Sequence, residues 1–210
     1  MDHLCVFGAS RGTGKEVVRL ARKAGLSITA AVRNPDSMRE QDGVRVAVSD
    51  VYDKASIVRA LQGSDAVVST VGPVRRQRST NIYSVGVLNI ARQMEMLGPK
   101  RLIVVDSIGV DPNFDLPWHY RLAMKTIAKR LYGFAFEDGA RMEGLLQSTK
   151  LNWTAVRVPW LLNRPPRGFR NSIHRRLHHG PKLGRSDLAA YLLSILDDQR
   201  TYRTWTEVAW

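Results

Sequence analysis

The residues whose types and spacing could do chemistry begin with three glycines. Gly8, Gly12 and Gly14 stand in the run Val6-Phe7-Gly8-Ala9-Ser10-Arg11-Gly12-Thr13-Gly14-Lys15. Gly8 permits a sharp turn out of a strand, the middle glycine lets backbone approach a pyrophosphate, and Gly14 lets the next helix pack close to a sheet. Free N–H groups and the positive end of that helix would then hold the phosphates. Arg33-Asn34-Pro35 closes the following apolar run. An acidic residue there would bind a ribose hydroxyl pair, whereas Arg33 suits a 2′-phosphate, so the expected cofactor is NADP(H). Ser107 would orient an acceptor by a hydrogen bond, and no Gly-x-Ser-x-Gly surrounds it to make it a nucleophile. Trp118-His119-Tyr120 and Trp160-Leu161-Leu162 offer aromatic and apolar walls for a flat conjugated substrate. His119 or Tyr120 could donate a proton there.

These residues need a frame that carries them to one edge. Leu4 to Phe7 predicts a first strand, and Val17, Val18, Leu20 and Ala21 a first helix. Leu26 to Val32 predicts the second strand, with Asn34-Pro35-Asp36 capping a short helix through Arg39. Val44 to Val48, Ala66 to Gly72 with its exit loop, Arg101 to Val105 and Trp153 to Val158 predict four more strands. Helical patterns fall at Ala55–Leu61, Asn81–Leu97, Trp118–Tyr132 and Glu137–Thr149, and Gly98-Pro99 ends the second. Near-continuous Val/Ile/Leu strands alternating with helices predict a parallel sheet covered on both faces, a doubly wound α/β fold. Further on, Asn163 to Gly168 reads as a loop and Asn171 to His179 as a short helix. Ser186-Asp187 reads as the N-cap of a helix through Leu196, and Tyr202 to Val208 as a late edge strand.

The chain of 210 residues is long enough for one sizeable domain. Its 44% hydrophobic content is that of a globular protein, and no apolar run reaches the roughly 18 residues a membrane span needs. No signal peptide and no membrane association are expected, and the lone Cys5 packs in the first strand, which fits a reducing cytoplasm. The 32 Lys+Arg against 19 Asp+Glu give a formal charge of +13, a field that attracts dinucleotides and acidic substrates. The basic groups at Arg75-Arg76-Gln77-Arg78, Lys125 to Arg130 and Arg164 to Arg176 are not interleaved with aromatics, so specific nucleic-acid binding is not expected. His174 and His178 stand i,i+4 on the expected short helix, with His179 adjacent. The stretch holds no acidic partner, and Arg175 and Arg176 would repel a cation, so no metal site is expected.

The segments Gly8 to Gly14, Val32-Arg33-Asn34-Pro35, Ser49-Asp50-Val51, Thr70-Val71-Gly72 and Asp106-Ser107 resemble the atypical short-chain dehydrogenase/reductases. Asn152 to Pro159 and Gly184 to Ala189 match the late strand and last helix of that group. More narrowly, the chain is similar to compact NAD(P)H-binding proteins related to NmrA and to biliverdin-IXβ/flavin reductase. The resemblance implies one Rossmann-type domain over residues 1–210, with a small substrate lobe built mainly from 107–185. It implies that Gly8, Ala9, Ser10, Arg11, Gly12, Thr13 and Gly14 hold the pyrophosphate, with Thr13 donating a hydrogen bond. Arg33 would clamp the 2′-phosphate with Asn34 nearby. Asp50 and Val51 would flank the adenine, and Thr70, Val71 and Gly72 would line the middle of the cofactor. Ser107 would sit beside the nicotinamide, and Pro159 with Trp160 would bound its ring. Trp118, Met124, Trp160 and Leu161 would face substrate.

The chain departs from the Tyr-Lys branch of that group. Tyr120 is followed by Met124 at the spacing where lysine belongs, and Gly139 and Ala135 stand at the places counted back from Glu143. Without a phenol–ammonium relay, alcohol dehydrogenation is not expected. Hydride delivery to an electron-poor conjugated acceptor survives, because solvent or substrate can supply the proton. The expected function is an NADPH-dependent reductase of a flavin, quinone, tetrapyrrole or enone. The alternatives are a non-catalytic NmrA-like NADP(H) sensor and an NAD(P)-dependent epimerase or isomerase.

Overall fold

In the computed structural model the chain alternates strand and helix through its first half. The order is β1 (His3–Phe7), α1 (Gly12–Lys23), β2 (Ser27–Val32), β3 (Val44–Val48), α2 (Lys54–Leu61), β4 (Ala66–Ser69), α3 (Leu88–Leu97) and β5 (Arg101–Ser107). The second half adds α4 (Trp118–Ala123), α5 (Lys129–Leu146), β6 (Asn152–Val158), β7 (Trp160–Leu162), β8 (Arg170–Ile173), β9 (Lys182–Gly184), α6 (Arg185–Ser194) and β10 (Thr204–Ala209). The structure describes residues 1–73, 80–111, 115, 117–178 and 180–210, the side chains of 127–129 excepted. The basic group Arg75-Arg76-Gln77-Arg78, residues 112–114 and 116, and His179 lie outside the described residues.

An eight-stranded sheet runs in the order β3-β2-β1-β4-β5-β6-β10-β8, with β8 antiparallel to β10 and the other pairings parallel. Alternate residues of each strand face opposite sides, as the two-residue period of a strand requires. Val6 and Val68 join Val17, Val18 and Ala21 of α1 and Leu188 and Leu192 of α6 on one face. Cys5, Phe7 and Val67 join Ile57 of α2, Ile90 of α3 and Met142 of α5 on the other. This is the doubly wound arrangement: parallel strands need helical crossovers, and the crossovers cover both faces. Burial pushes the Cys5 thiol up to about 12, so it packs as a small apolar group. No helix among the described residues is long and apolar enough to cross a membrane.

Three expectations are corrected. Asn171 to His179 is not a helix: Arg170–Ile173 is a strand paired with β10, and His174 follows it at φ +52°. His174 and His178 therefore do not share a helical face. The segment from Tyr202 onward is not an edge strand, because β10 pairs with β6 on one side and β8 on the other. Ser186-Asp187 is not the N-cap either, since Gly184 caps α6. Asp187 is turned inward, where its carboxylate accepts from the N–H groups of Arg167 and Gly168 at 3.1 Å and from Trp210 Nε1 at 2.7 Å. Carboxylates often cap from just outside a helix, but here a loop and a terminal tryptophan offer more donors than the helix end does. The Asn81–Leu97 pattern is helical, but Ile82–Val87 is wound wide with π-type bonds before α3 begins. A short parallel pair, β7 with β9, was not predicted, because three-residue strands carry too little pattern to be read.

Candidate coenzyme and active site

The strand order reverses at β1, which lies between β2 and β4. In an open α/β sheet the crevice at such a reversal, beyond the carboxyl ends of the strands, is where ligands bind. The glycine turn fills one wall of it. Gly8 and Gly12 hold φ of +79° and +54°, a left-handed region that side chains rarely tolerate. A Cβ on Gly14 would stand 2.2 Å from the Gly8 carbonyl oxygen, so α1 approaches β1 at a distance only glycine allows. Thr70 Oγ1 donates to the Phe7 carbonyl at 3.0 Å and lies 3.3 Å from that of Gly8, pinning the exit of β4 to the exit of β1. Helix α1 begins with no side-chain cap and no acidic residue in its first turn, so its first N–H groups and its positive end face the crevice. The turn thus fits a diphosphate by backbone conformation, space and charge.

The remaining predicted residues are spread along the same strand ends. Arg11 is exposed at the N-cap, Ser10 is half-buried, Thr13 is buried in the first turn of α1, and Ala9 is buried in the core, leaving only its backbone for a ligand. Arg33 is exposed directly after β2. Asn34 Oδ1 accepts from Asp36 N at 3.0 Å, which commits that side chain to a tight turn over Pro35–Ser37. Asp50 follows β3, and its Oδ1 accepts from Tyr52 N at 2.9 Å. Val51 is packed into the core against Gly86, where a Cβ would lie 2.7 Å from Val51 Cγ2. Val71 is half-buried and Gly72 is exposed after β4, the latter beneath the Tyr83 hydroxyl.

At the far end, Ser107 closes β5, and its Oγ accepts from Gly109 N at 3.2 Å. Ile108 next to it packs against Tyr120 and Met124. Opposite stand buried Pro159 and half-buried Leu161. Trp160 is 58% exposed and Trp118 is 76% exposed. Trp118, His119 and Tyr120 form a run of ring contacts, and Lys182 Nζ lies 5.8 Å from the centre of the Tyr120 ring. A cavity of about 680 Å³ beside α4 is lined by Asp111, Arg121, Arg175, Arg176 and Trp205, among others.

Behind Ser107 lies a buried polar network that sequence reasoning missed. Asp106 is 2% exposed, and its Oδ1 accepts from Ser107 N at 2.7 Å while Oδ2 has no partner among the described residues. Burial first, and the nearby Glu143 charge second, push its carboxyl up to about 8, against the pull of the Ser107 bond and of Arg157. Arg157 is held in a fork by Glu143, with Nε and Nη2 donating at 2.9 and 2.6 Å, and its guanidinium stacks 4.1 Å over Trp205. Asp138 of α5 accepts from Tyr83 N at 2.8 Å and from the Ser84 hydroxyl. Burial, with Asp106 and Asp138 nearby, raises the Tyr83 phenol as well. The one signal available was a charged residue inside the apolar run of β6. Its partner fourteen residues earlier, on a helix, could not be read from spacing.

A family model described as NAD(P)H-binding matches residues 8–199. The chain belongs to that family. Among curated proteins it is 26% identical over 155 residues to the uncharacterized protein YwnB of Bacillus subtilis (strain 168), covering 71% of this chain and 68% of that one. Two solved structures share its fold. One is a short-chain dehydrogenase/reductase from Veillonella parvula in complex with NADP, with TM-score 0.81 and 17% identity over 100% of this chain and 94% of that one. The other is the anaerobilin reductase ChuY of Escherichia coli O157:H7, with TM-score 0.81 and 20% identity over 99% of this chain and 96% of that one. The Rossmann-type fold and the NAD(P)H-binding character of this NAD(P)H-binding protein are thereby established, and they match the expectation from the glycine turn.

Proposed function

We propose that the protein is an NADPH-dependent reductase of a planar, conjugated small molecule, and that residues 107–185 supply its substrate side. The observation that carries this reading is Gly139. A Cβ at this α5 position would stand 2.4 Å from Asp106 Oδ1, so the site is crowded by a carboxyl where the Tyr-Lys kind of enzyme would present an ammonium. Chemistry that needs a phenol–ammonium pair to move an alcohol proton is disfavoured. Reduction of a conjugated acceptor needs only position and electrostatics from the protein, because the bound coenzyme supplies the hydride.

The chain's residues divide the work. The glycine turn seats the diphosphate, and Arg33 selects the 2′-phosphate. Ser107 and Pro159 bound the reacting end of the crevice. Tyr120, Met124, Trp118, Trp160 and Leu161 give a flat acceptor apolar surface to lie on, with Tyr120 or His119 as the proton donor. Arg121 and Arg175 around the neighbouring cavity, beside the Arg176–Asp111 ion pair, suit an acceptor that carries carboxylates. The shared fold with an anaerobilin reductase makes a linear tetrapyrrole the first member of a test panel.

The test is coenzyme oxidation, followed by absorbance, with flavins, quinones, enones and linear tetrapyrroles. Turnover of at least one supports the reading. Tight NADPH binding without turnover of any would transfer the assignment to a coenzyme sensor.

A further inference from the structure

Arg185 is the first residue of α6, and its side chain reaches back over the glycine turn. A Cβ on Gly12 would stand 3.2 Å from Arg185 Nε and 3.7 Å from its Cδ. The N-terminus of α1, with Arg11 as N-cap and no acid in its first turn, lies at this guanidinium, whereas α6, which begins at Arg185, carries Asp187 in its own first turn. The uncapped N-terminus of α1 is a centre of positive potential. Arg185 makes no hydrogen bond or ion pair among the described residues, and burial alone lowers its pKa, with no neighbouring charge opposing the shift. The acids nearby are already committed. Glu16 holds Arg19 at 2.8 Å, and Asp187 holds the 167–168 loop and Trp210. A half-buried cation without a partner at the positive end of α1 is an unfavourable arrangement unless an anion completes it.

We propose that Arg185 clamps the diphosphate of the pyridine coenzyme against Gly12, so that coenzyme binding ties α6 to α1. The proposal rests on the coenzyme-site reading above. It gives the two arginines separate tasks. Arg33 at the end of β2 meets the 2′-phosphate that only NADPH carries, whereas Arg185 meets the diphosphate that NADPH and NADH share. A Cβ at residue 12, already disfavoured by φ +54°, would also crowd the guanidinium beside the backbone that would seat the phosphates.

The experiment is calorimetric titration of wild type, Arg185→Gln and Arg185→Lys with NADPH and with NADH, alongside thermal melts of each unliganded protein. The Gln variant is expected to lose about tenfold or more in affinity for both coenzymes alike, the size expected for a hydrogen bond to a charged group. The Lys variant recovers part of it. Unliganded Arg185→Gln should melt no lower than wild type, because it loses an uncompensated cation and no partner. Unchanged affinity for both coenzymes, a loss confined to NADPH, or an unliganded Gln variant that unfolds or melts lower with affinity intact would each overturn the clamp. Wild type that binds neither coenzyme would sink the site reading itself, which is a different failure.

Discussion

Gly139 of α5 and Asp106 of β5 are packed so that a Cβ on the glycine would stand 2.4 Å from Oδ1 and 2.7 Å from Oδ2 of the carboxylate. The carboxyl fills the space from which a lysine would otherwise emerge. Gly139→Ala should therefore destabilise the protein by about 1–3 kcal/mol, the range for overpacking a filled site. Asp106→Ala opens that space, so the two losses should not add in the double variant. Urea unfolding of the four proteins measures this, and additivity would show that the two residues do not press on one another.

Asp106 also sets a pH dependence. Its carboxyl titrates near 4 in the unfolded chain and at about 8 when buried. Between those values the unfolded state has released a proton that the folded state keeps, so stability falls as pH rises through the window and levels off above it. Asp106→Asn keeps an acceptor for Ser107 N and removes the titration. The variant should gain on wild type as pH rises from about 4 to 8, by roughly 1 kcal/mol or more at the upper end, or ~2–4 °C in Tm per kcal/mol. A difference in Tm that stays flat across that range would mean that Asp106 is ionised throughout.

The proposed choice of NADPH over NADH rests on Arg33, exposed directly after β2. Arg33→Ala should weaken NADPH binding by about 1.5–3 kcal/mol and leave NADH nearly unaffected. Equal losses for both coenzymes, read by calorimetry, would refute its role and pass the 2′-phosphate to another group.

Arg101 is a fully buried cation with no ion pair among the described residues, although the charges of Asp198 and Asp197 act on it. Its Nε and Nη2 donate to the Leu196 and Ile195 carbonyls at 2.9 and 2.7 Å, just past the last turn of α6, and Nη1 donates to Asn152 O and Thr154 Oγ1, both at 2.8 Å. A cation suits a helix C-terminus, and Ile195 and Leu196 are both buried. Arg101→Met should cost about 3 kcal/mol or more by leaving several buried acceptors unpaired. A loss below about 1 kcal/mol in denaturant titration would show that the surroundings re-pair.

Near-continuous Val and Ile runs, set between amphipathic helices, carry local information, and they made the parallel sheet and its order of elements legible. The glycine turn was legible for the same reason: left-handed backbone and close approach are demands that a single residue type meets, and they show wherever that type recurs at the right spacing. Arg33 could be placed because it stands at a strand end. What the linear order could not reveal is which distant groups press on one another. Asp106 against Gly139, Arg157 in the grip of Glu143, Asp187 turned from its helix to the loop at 167–168, and Arg185 laid over Gly12 are each made by separate elements docking. β10 passed for an edge strand because strand sequence records its two faces and not its neighbours along the sheet. Sequence alone determined the kind of cofactor cradle and the fold that bears it. The tertiary structure alone decided which charges are buried beside Ser107 and which are left without a partner, because burial and pairing are properties of packed surfaces and not of spacing along a chain.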